Sequence, residues 1–81
     1  MRITIEHSTG ATFFHRNEIE DVAVGEVLNN SDRYVFRYCA EHPSPAYDLN
    51  VRKTDGTCYL FRYNDEAQRD LAFNYIMGHL Q

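Results

Sequence analysis

Two segments with alternating side chains, joined by a short glycine turn, constrain the fold more than any other feature of the chain. Residues 47–53 place apolar side chains at every second position, and residues 57–63 do the same with aromatic ones. This period of two is typical of β-strands that bury one face. The turn between them contains Gly56, which readily adopts the left-handed backbone conformation that hairpin loops need. The sequence therefore predicts an antiparallel hairpin in this region.

The length of the turn determines which side chains share a face of this hairpin. A two-residue turn at Asp55-Gly56 would place Leu49 opposite Arg62 and mix apolar with charged groups. A three-residue loop at Thr54-Asp55-Gly56 separates them, and we predict that register. Its apolar face holds the pairs Tyr47 with Tyr63, Leu49 with Phe61, and Val51 with Tyr59. Its opposite face holds the pairs Asp48 with Arg62, Asn50 with Leu60, and Arg52 with Cys58.

Three shorter strands are predicted in the first half of the chain. They span residues 2–7, 12–15 and 34–39, with turns at residues 8–10 and 29–32. The first two form a hairpin. In the third we expect Tyr34, Phe36 and Tyr38 to face the core, which leaves Val35, Arg37 and Cys39 on the outer face.

The segment from Asn17 to Leu28 has two interpretations. Its apolar residues Ile19, Val22, Ala23 and Val27 lie at helical spacing. Val22 and Val24 also alternate as in a strand, and Gly25 interrupts any helix, so we prefer an irregular stretch followed by a strand.

A single helix is predicted at the end of the chain. Asn64 or Asp65 serves as its N-cap, and Asp65 with Gln68 fits a capping box. Five apolar residues then gather on one side at helical spacing: Ala72, Phe73, Ile76, Met77 and Leu80. This side must be buried, so we expect the helix to lie across the apolar face of the sheet.

These elements predict one α+β domain that spans residues 1–81. Its sheet is a single antiparallel sheet or half-barrel of five to six strands, with the C-terminal amphipathic helix packed on it. The layout resembles a shortened pleckstrin-homology half-barrel, although no motif of that family is present. A likeness of layout implies nothing about function.

The charge balance and the absence of long apolar runs exclude several classes of partner. Eight Lys and Arg residues against twelve Asp and Glu residues give a net charge of −4, the wrong sign for binding phosphate backbones through bulk electrostatics. We therefore expect no direct nucleic-acid binding. The first residues lack the apolar stretch of a secretory signal, and no apolar run approaches the roughly 18 residues of a membrane-spanning helix. We expect a cytoplasmic protein without membrane contact.

The motifs of the chain predict neither catalysis nor a cofactor. The four glycines stand singly, so no phosphate-binding loop is present, and no serine lies in a nucleophile motif. Cys39 and His42 have a ligand-like spacing that Cys58 and His79 could complete, but strong zinc signatures come as two closely spaced pairs. We expect two free thiols and no metal.

The aromatic residues of the sheet have a second interpretation, as a platform on which the bases of single-stranded nucleic acid stack. That function requires the aromatic face to be bare. Because the helix must bury its apolar side somewhere, we expect the helix to cover this face instead.

The predicted contact surface is the outward face of the late strands. Arg52 and Arg62 project from it beside Leu60, and Arg37 joins them if the aromatic residues of its strand face the core. Arginine mixed with apolar groups is typical of protein interfaces. We predict a non-catalytic module that binds another protein through these four residues or through a strand edge, as an inhibitor or adaptor. The alternative is a small ligand- or metal-binding domain with a pocket between sheet and helix. Self-association stays open.

Overall fold

The computed structural model describes residues 2–25 and 33–81 of the chain. Six strands precede one helix: β1 (Arg2–His7), β2 (Gly10–His15), β3 (Ile19–Val24), β4 (Arg33–Tyr38), β5 (Tyr47–Lys53), β6 (Thr57–Tyr63) and α1 (Glu66–Leu80). A short 3-10 turn at Arg16–Glu18 leads into β3. The predicted α+β class, the strand count and the C-terminal helix are confirmed. The predicted turn at residues 29–32 lies outside the described residues.

The strands form two sheets rather than one. β1 and β2 make a two-stranded sheet, and the other four strands make a sheet of order β3-β5-β6-β4 that does not close into a barrel. β4 runs parallel to β6, whereas the other neighbours are antiparallel. A purely antiparallel sheet is therefore wrong for β4. Parallel neighbours need a long connection, and here β5 is part of the chain that connects β4 to β6.

The central hairpin has the predicted register. Leu49 lies opposite Phe61, and Asp48 lies opposite Arg62. Gly56 has a φ of 94°, a left-handed conformation that favours glycine, and its N–H donates to Lys53 O at 3.0 Å. The three-residue loop thus places the apolar side chains of both strands on one face.

β3 confirms the strand interpretation of Ile19–Val24. Val22 lies opposite Val51 and Val24 opposite Leu49, so both valines face the core. A register shift between Ile19 and Asp21 marks a bulge at the start of the strand. Residues 26–28 of the undecided segment lie outside the described residues.

The core lies between the four-stranded sheet on one side and α1 with the β1–β2 hairpin on the other. Asp65 caps α1, since its Oδ1 accepts the Ala67 N–H at 2.9 Å, and Ile76 is fully buried. The core cluster consists of Ile3, Ile5, Phe14, Ile19, Leu49, Val51, Phe61, Tyr63 and Ile76. Phe14 from the hairpin meets Tyr59 edge to face, with ring centroids 5.1 Å apart. Both the helix and the hairpin therefore pack on the apolar face of the sheet.

Within the described residues, no helix has both the length and the apolar character that crossing a membrane requires.

Candidate interaction surfaces

The register of β4 places its aromatic residues on the face away from the core. Phe36 lies opposite Leu60, and Tyr38 lies opposite Arg62. The expectation that Tyr34, Phe36 and Tyr38 face the core is therefore wrong. β4 is the edge strand beside β6, and the helix packs mainly across β3, β5 and β6. The core face of β4 instead turns toward the first hairpin, where Arg37 is placed near His7.

The outward aromatic side chains are well exposed. The exposed fractions are 39% for Tyr34, 46% for Phe36 and 45% for Tyr38. The guanidinium carbon of Arg62 lies 5.5 Å from the centroid of the Phe36 ring, within the range of a cation–π contact. We call these four residues the β4 aromatic surface. Three neighbouring aromatic rings and an arginine form a surface typical of protein interfaces.

Arg52 and Arg62 share this sheet face, as predicted, and both are in ion pairs. Arg62 Nε lies 3.1 Å from Asp48 Oδ1, and the predicted cross-strand pair is present. Arg52 Nη2 lies 2.7 Å from Asp21 Oδ2, and Arg52 Nε lies 3.6 Å from Glu20 Oε2. Each arginine is thus largely neutralised by the protein's own carboxylates.

The other two predicted contact residues are in different surroundings. Leu60 lies on the same face but is only 3% exposed, so it offers no contact area. Arg37 lies opposite Phe61 on the core face, and the prediction that it joins Arg52 and Arg62 is wrong. Its Nη1 donates to Phe36 O at 3.1 Å. Burial, together with the positive charge of Arg37, lowers the pKa of His7.

Some main-chain hydrogen-bonding groups on the outer edge of β4 are paired within the protein itself. Cys39 N–H donates to Arg62 O at 2.7 Å, so the main-chain groups of alternate residues point to β6 and those between them point outward. Of the outward carbonyls, that of Phe36 accepts from Arg37, and that of Tyr38 accepts the Ser8 N–H at 2.8 Å. A charged side chain on a strand edge discourages pairing with another chain. Strand addition at the outer edge of β4 is therefore disfavoured, and the groups that the β4 aromatic surface exposes are its side chains.

A cleft between β1, the end of β6 and α1 forms a second surface. One open cavity of about 400 Å³ is lined by Thr4, Ile5, Glu6, Tyr63, Leu71, Ala72 and Tyr75. A more polar cavity of about 320 Å³ shares Glu6 and Tyr63 with it and reaches Cys39. The two cavities therefore lie next to each other along β1, and together we call them the trough. This is the pocket between sheet and helix on which the alternative prediction depends.

The structure does not bring the candidate zinc ligands together. Cys39 packs against the core beside Tyr63, where burial raises the pKa of its thiol. Cys58 is fully buried on the opposite face of the sheet, opposite Tyr34. Among residues 2–25 and 33–81, no group of three His, Cys, Asp or Glu side chains is arranged to hold a metal. Cys39 and Cys58 form no disulfide.

The sequence did not predict the β4 aromatic surface, and it predicted a pocket between sheet and helix without the residues that line the trough. The sequence of β4 does not mark one face as the buried one. Arg37 lies on one face, and three aromatic residues lie on the other. Local pattern therefore does not determine which face is buried. The trough depends on where α1 lies relative to β1, and these two elements are far apart in the chain.

Comparison with known proteins adds no relative: no family model, no curated protein and no solved structure matches this chain.

Proposed function

We propose that the protein is a non-catalytic cytoplasmic module that binds another protein through the β4 aromatic surface, as an adaptor or inhibitor. The observation that carries the proposal is the exposure of Tyr34, Phe36 and Tyr38, at 39–46% each, beside the Arg62 guanidinium. Aromatic residues and arginine dominate the energetics of protein interfaces because they bury large areas and lose little side-chain freedom.

The arginines around this surface are already paired, so its exposed aromatic area favours a partner segment with apolar side chains. Arg33 Nη2 lies 4.0 Å from Asp55 Oδ1, and Arg62 Nε lies 3.1 Å from Asp48 Oδ1. Carboxylates of a partner would compete with these pairs. Burial of apolar and aromatic area therefore supplies most of the expected affinity.

Aromatic rings and arginines on a sheet face also suit single-stranded nucleic acid. Two observations favour a protein partner instead. Asp48 already pairs with Arg62 at 3.1 Å, and the net charge of the chain repels a phosphate backbone.

The test compares the protein with a Phe36→Ser variant and a matched control, Phe13→Ser. Phe13 is 54% exposed on the β1–β2 hairpin and has the Arg2 guanidinium 4.8 Å from its ring centroid, so it reproduces the local chemistry of Phe36 elsewhere. Each immobilised protein is exposed to lysate from its own source. A retained protein is then purified and titrated by calorimetry against all three forms at low and high salt.

We expect one-to-one binding that Phe36→Ser weakens at least about tenfold, as for an interface hot spot, and that Phe13→Ser leaves unchanged. Affinity should depend only weakly on added salt, because the arginines of this surface are already paired with carboxylates of the protein. If both variants lose affinity equally, the contact surface is not on β4. Tight binding of a labelled single-stranded oligonucleotide that Phe36→Ser abolishes would replace the protein partner with a nucleic acid.

A further inference from the structure

The outer edge of β1 has main-chain groups that no described strand pairs with, on the side that faces α1. Thr4 N–H donates to the hydroxyl of Tyr75 at 3.2 Å, so this N–H points away from β2. Main-chain groups of an antiparallel strand alternate in direction, and Glu6 is two residues further along β1. The N–H and C=O of Glu6 therefore point to the same edge. No described strand pairs with this side of β1.

The opposite wall of the trough is an exposed apolar surface on α1. Leu71 is 69% exposed and Tyr75 39% exposed, although both lie on a helix whose other side is buried against the sheet. With Ala72 they line the cavity of about 400 Å³. These two large apolar side chains are exposed to solvent beside a strand edge. They provide a binding site for an apolar group.

The charge of the trough favours a basic ligand. Glu6 is the acidic side chain of the described lining, and that lining includes no lysine or arginine. Glu6 is exposed and lies opposite Ala11 on the outer face of the hairpin, whereas Ile5 faces the core. A ligand residue that pairs with Glu6 would thus place its side chain on the same solvent-exposed face, where a basic group meets the Glu6 carboxylate. The next residue of the ligand would face Leu71.

We propose that this trough binds an extended segment of a partner protein, which adds to β1 as a third strand and seats an apolar side chain against Leu71, with a neighbouring basic residue beside Glu6. Main-chain hydrogen bonds to Thr4 and Glu6 supply affinity, and the two side chains supply specificity. An open trough beside a strand edge matches a peptide backbone better than a compact ligand, which needs enclosure. The segment replaces the Tyr75 hydroxyl at Thr4 N–H.

The probe is a fluorescein-labelled library of blocked octapeptides with one leucine and one lysine fixed at neighbouring positions and β-branched residues elsewhere. Binding is measured by anisotropy with the whole protein and three variants: Leu71→Ser, Tyr75→Phe and the control Phe36→Ser. Because Leu71 and Phe36 are exposed, each variant should fold, and circular dichroism with thermal melting checks this.

We expect saturable one-to-one binding at micromolar peptide. Leu71→Ser should weaken it about ten- to hundredfold, the effect of losing one buried leucine contact. Tyr75→Phe should tighten it about two- to tenfold, because the Thr4 N–H then has no hydroxyl to give up. Amide exchange at Glu6 should slow when peptide binds, and a peptide N-methylated at the residue that pairs with Glu6 should not bind.

Absence of binding by every library member, or equal binding to Leu71→Ser, overturns the proposal. So does a concentration-dependent dimer that Leu71→Ser converts to monomer, since the occupant would then be a second copy of this chain. The inference does not rest on the β4 aromatic surface. Phe36→Ser should leave peptide binding unchanged, and failure at one surface says nothing against the other.

Discussion

Replacing Ile76 with alanine tests the packing that holds both surfaces in place. Ile76 is fully buried in the core cluster, and the helix residues Ala72, Phe73 and Leu80 pack against the same cluster. Truncation of a buried isoleucine removes its transfer free energy and leaves a cavity, which together cost about 2–5 kcal/mol. Domains have about 0.05–0.15 kcal/mol of stability per residue, so the 81-residue chain should have about 4–12 kcal/mol. One substitution should remove a large part of that.

Leu71→Ala is the matched control on the same helix. Leu71 is 69% exposed, so its truncation should change the free energy of unfolding by no more than about 0.5 kcal/mol. The assay is urea denaturation followed by circular dichroism, in which a lower midpoint with an unchanged slope reports lost stability. If Leu71→Ala destabilises the protein as much as Ile76→Ala does, the helix does not turn Ile76 to the core and Leu71 to solvent, and the reasoning is refuted.

The turn, the histidine and the thiols each support a further prediction. Gly56→Ala forces an alanine into a φ of 94° and should lower the free energy of unfolding by about 1–3 kcal/mol. Gly78→Ala places its methyl group in open space on the helix and should raise the free energy of unfolding by up to about 1 kcal/mol. The melting temperatures of the two variants should therefore shift in opposite directions. Burial lowers the pKa of His7, so the unfolded chain binds the proton more readily than the folded one. The free energy of unfolding should therefore fall as pH drops below about 6.5. A His7→Gln variant should lose less stability between neutral and mildly acidic pH, and an equal loss would contradict this. Cys58 is fully buried and burial raises the pKa of the Cys39 thiol, so iodoacetamide should alkylate the native protein far more slowly than the urea-unfolded chain, as followed by mass spectrometry.

The central hairpin was predictable because its constraints are local. The loop at Thr54–Gly56 and the two faces of residues 47–63 agree on one register, and a shift of one residue would put Arg62 into the core. The helix was predictable for the same reason, since its cap at Asp65 and its apolar stripe lie within a few turns of each other. Short-range agreement of this kind leaves few alternatives.

β4 was not predictable, because its partner and direction depend on residues far from it. Its pairing with β6 is parallel, and the connection between them includes all of β5. The alternation of Tyr34 to Tyr38 is consistent with either face inward. The outward face of β4 carries the candidate surface. Because the two faces of this strand were predicted the wrong way round, Arg37 was predicted as a contact residue in place of the aromatic side chains.

The exposed edges of β1 and β4 are both occupied by a side chain of the protein, but with different strength. At β4 the Arg37 guanidinium donates to Phe36 O at 3.1 Å, and at β1 Thr4 N–H donates to the neutral Tyr75 hydroxyl at 3.2 Å. A hydrogen bond from a charged donor is roughly twice as strong as a neutral one. A competing strand therefore displaces Tyr75 more easily than Arg37. This difference supports the proposals of main-chain recognition at β1 and side-chain recognition at β4. It also predicts that Arg37→Ala, which frees the Phe36 carbonyl, makes β4 prone to strand addition and self-association, detectable by light scattering. A variant that stays monomeric at high concentration would show that the guanidinium does not protect this edge.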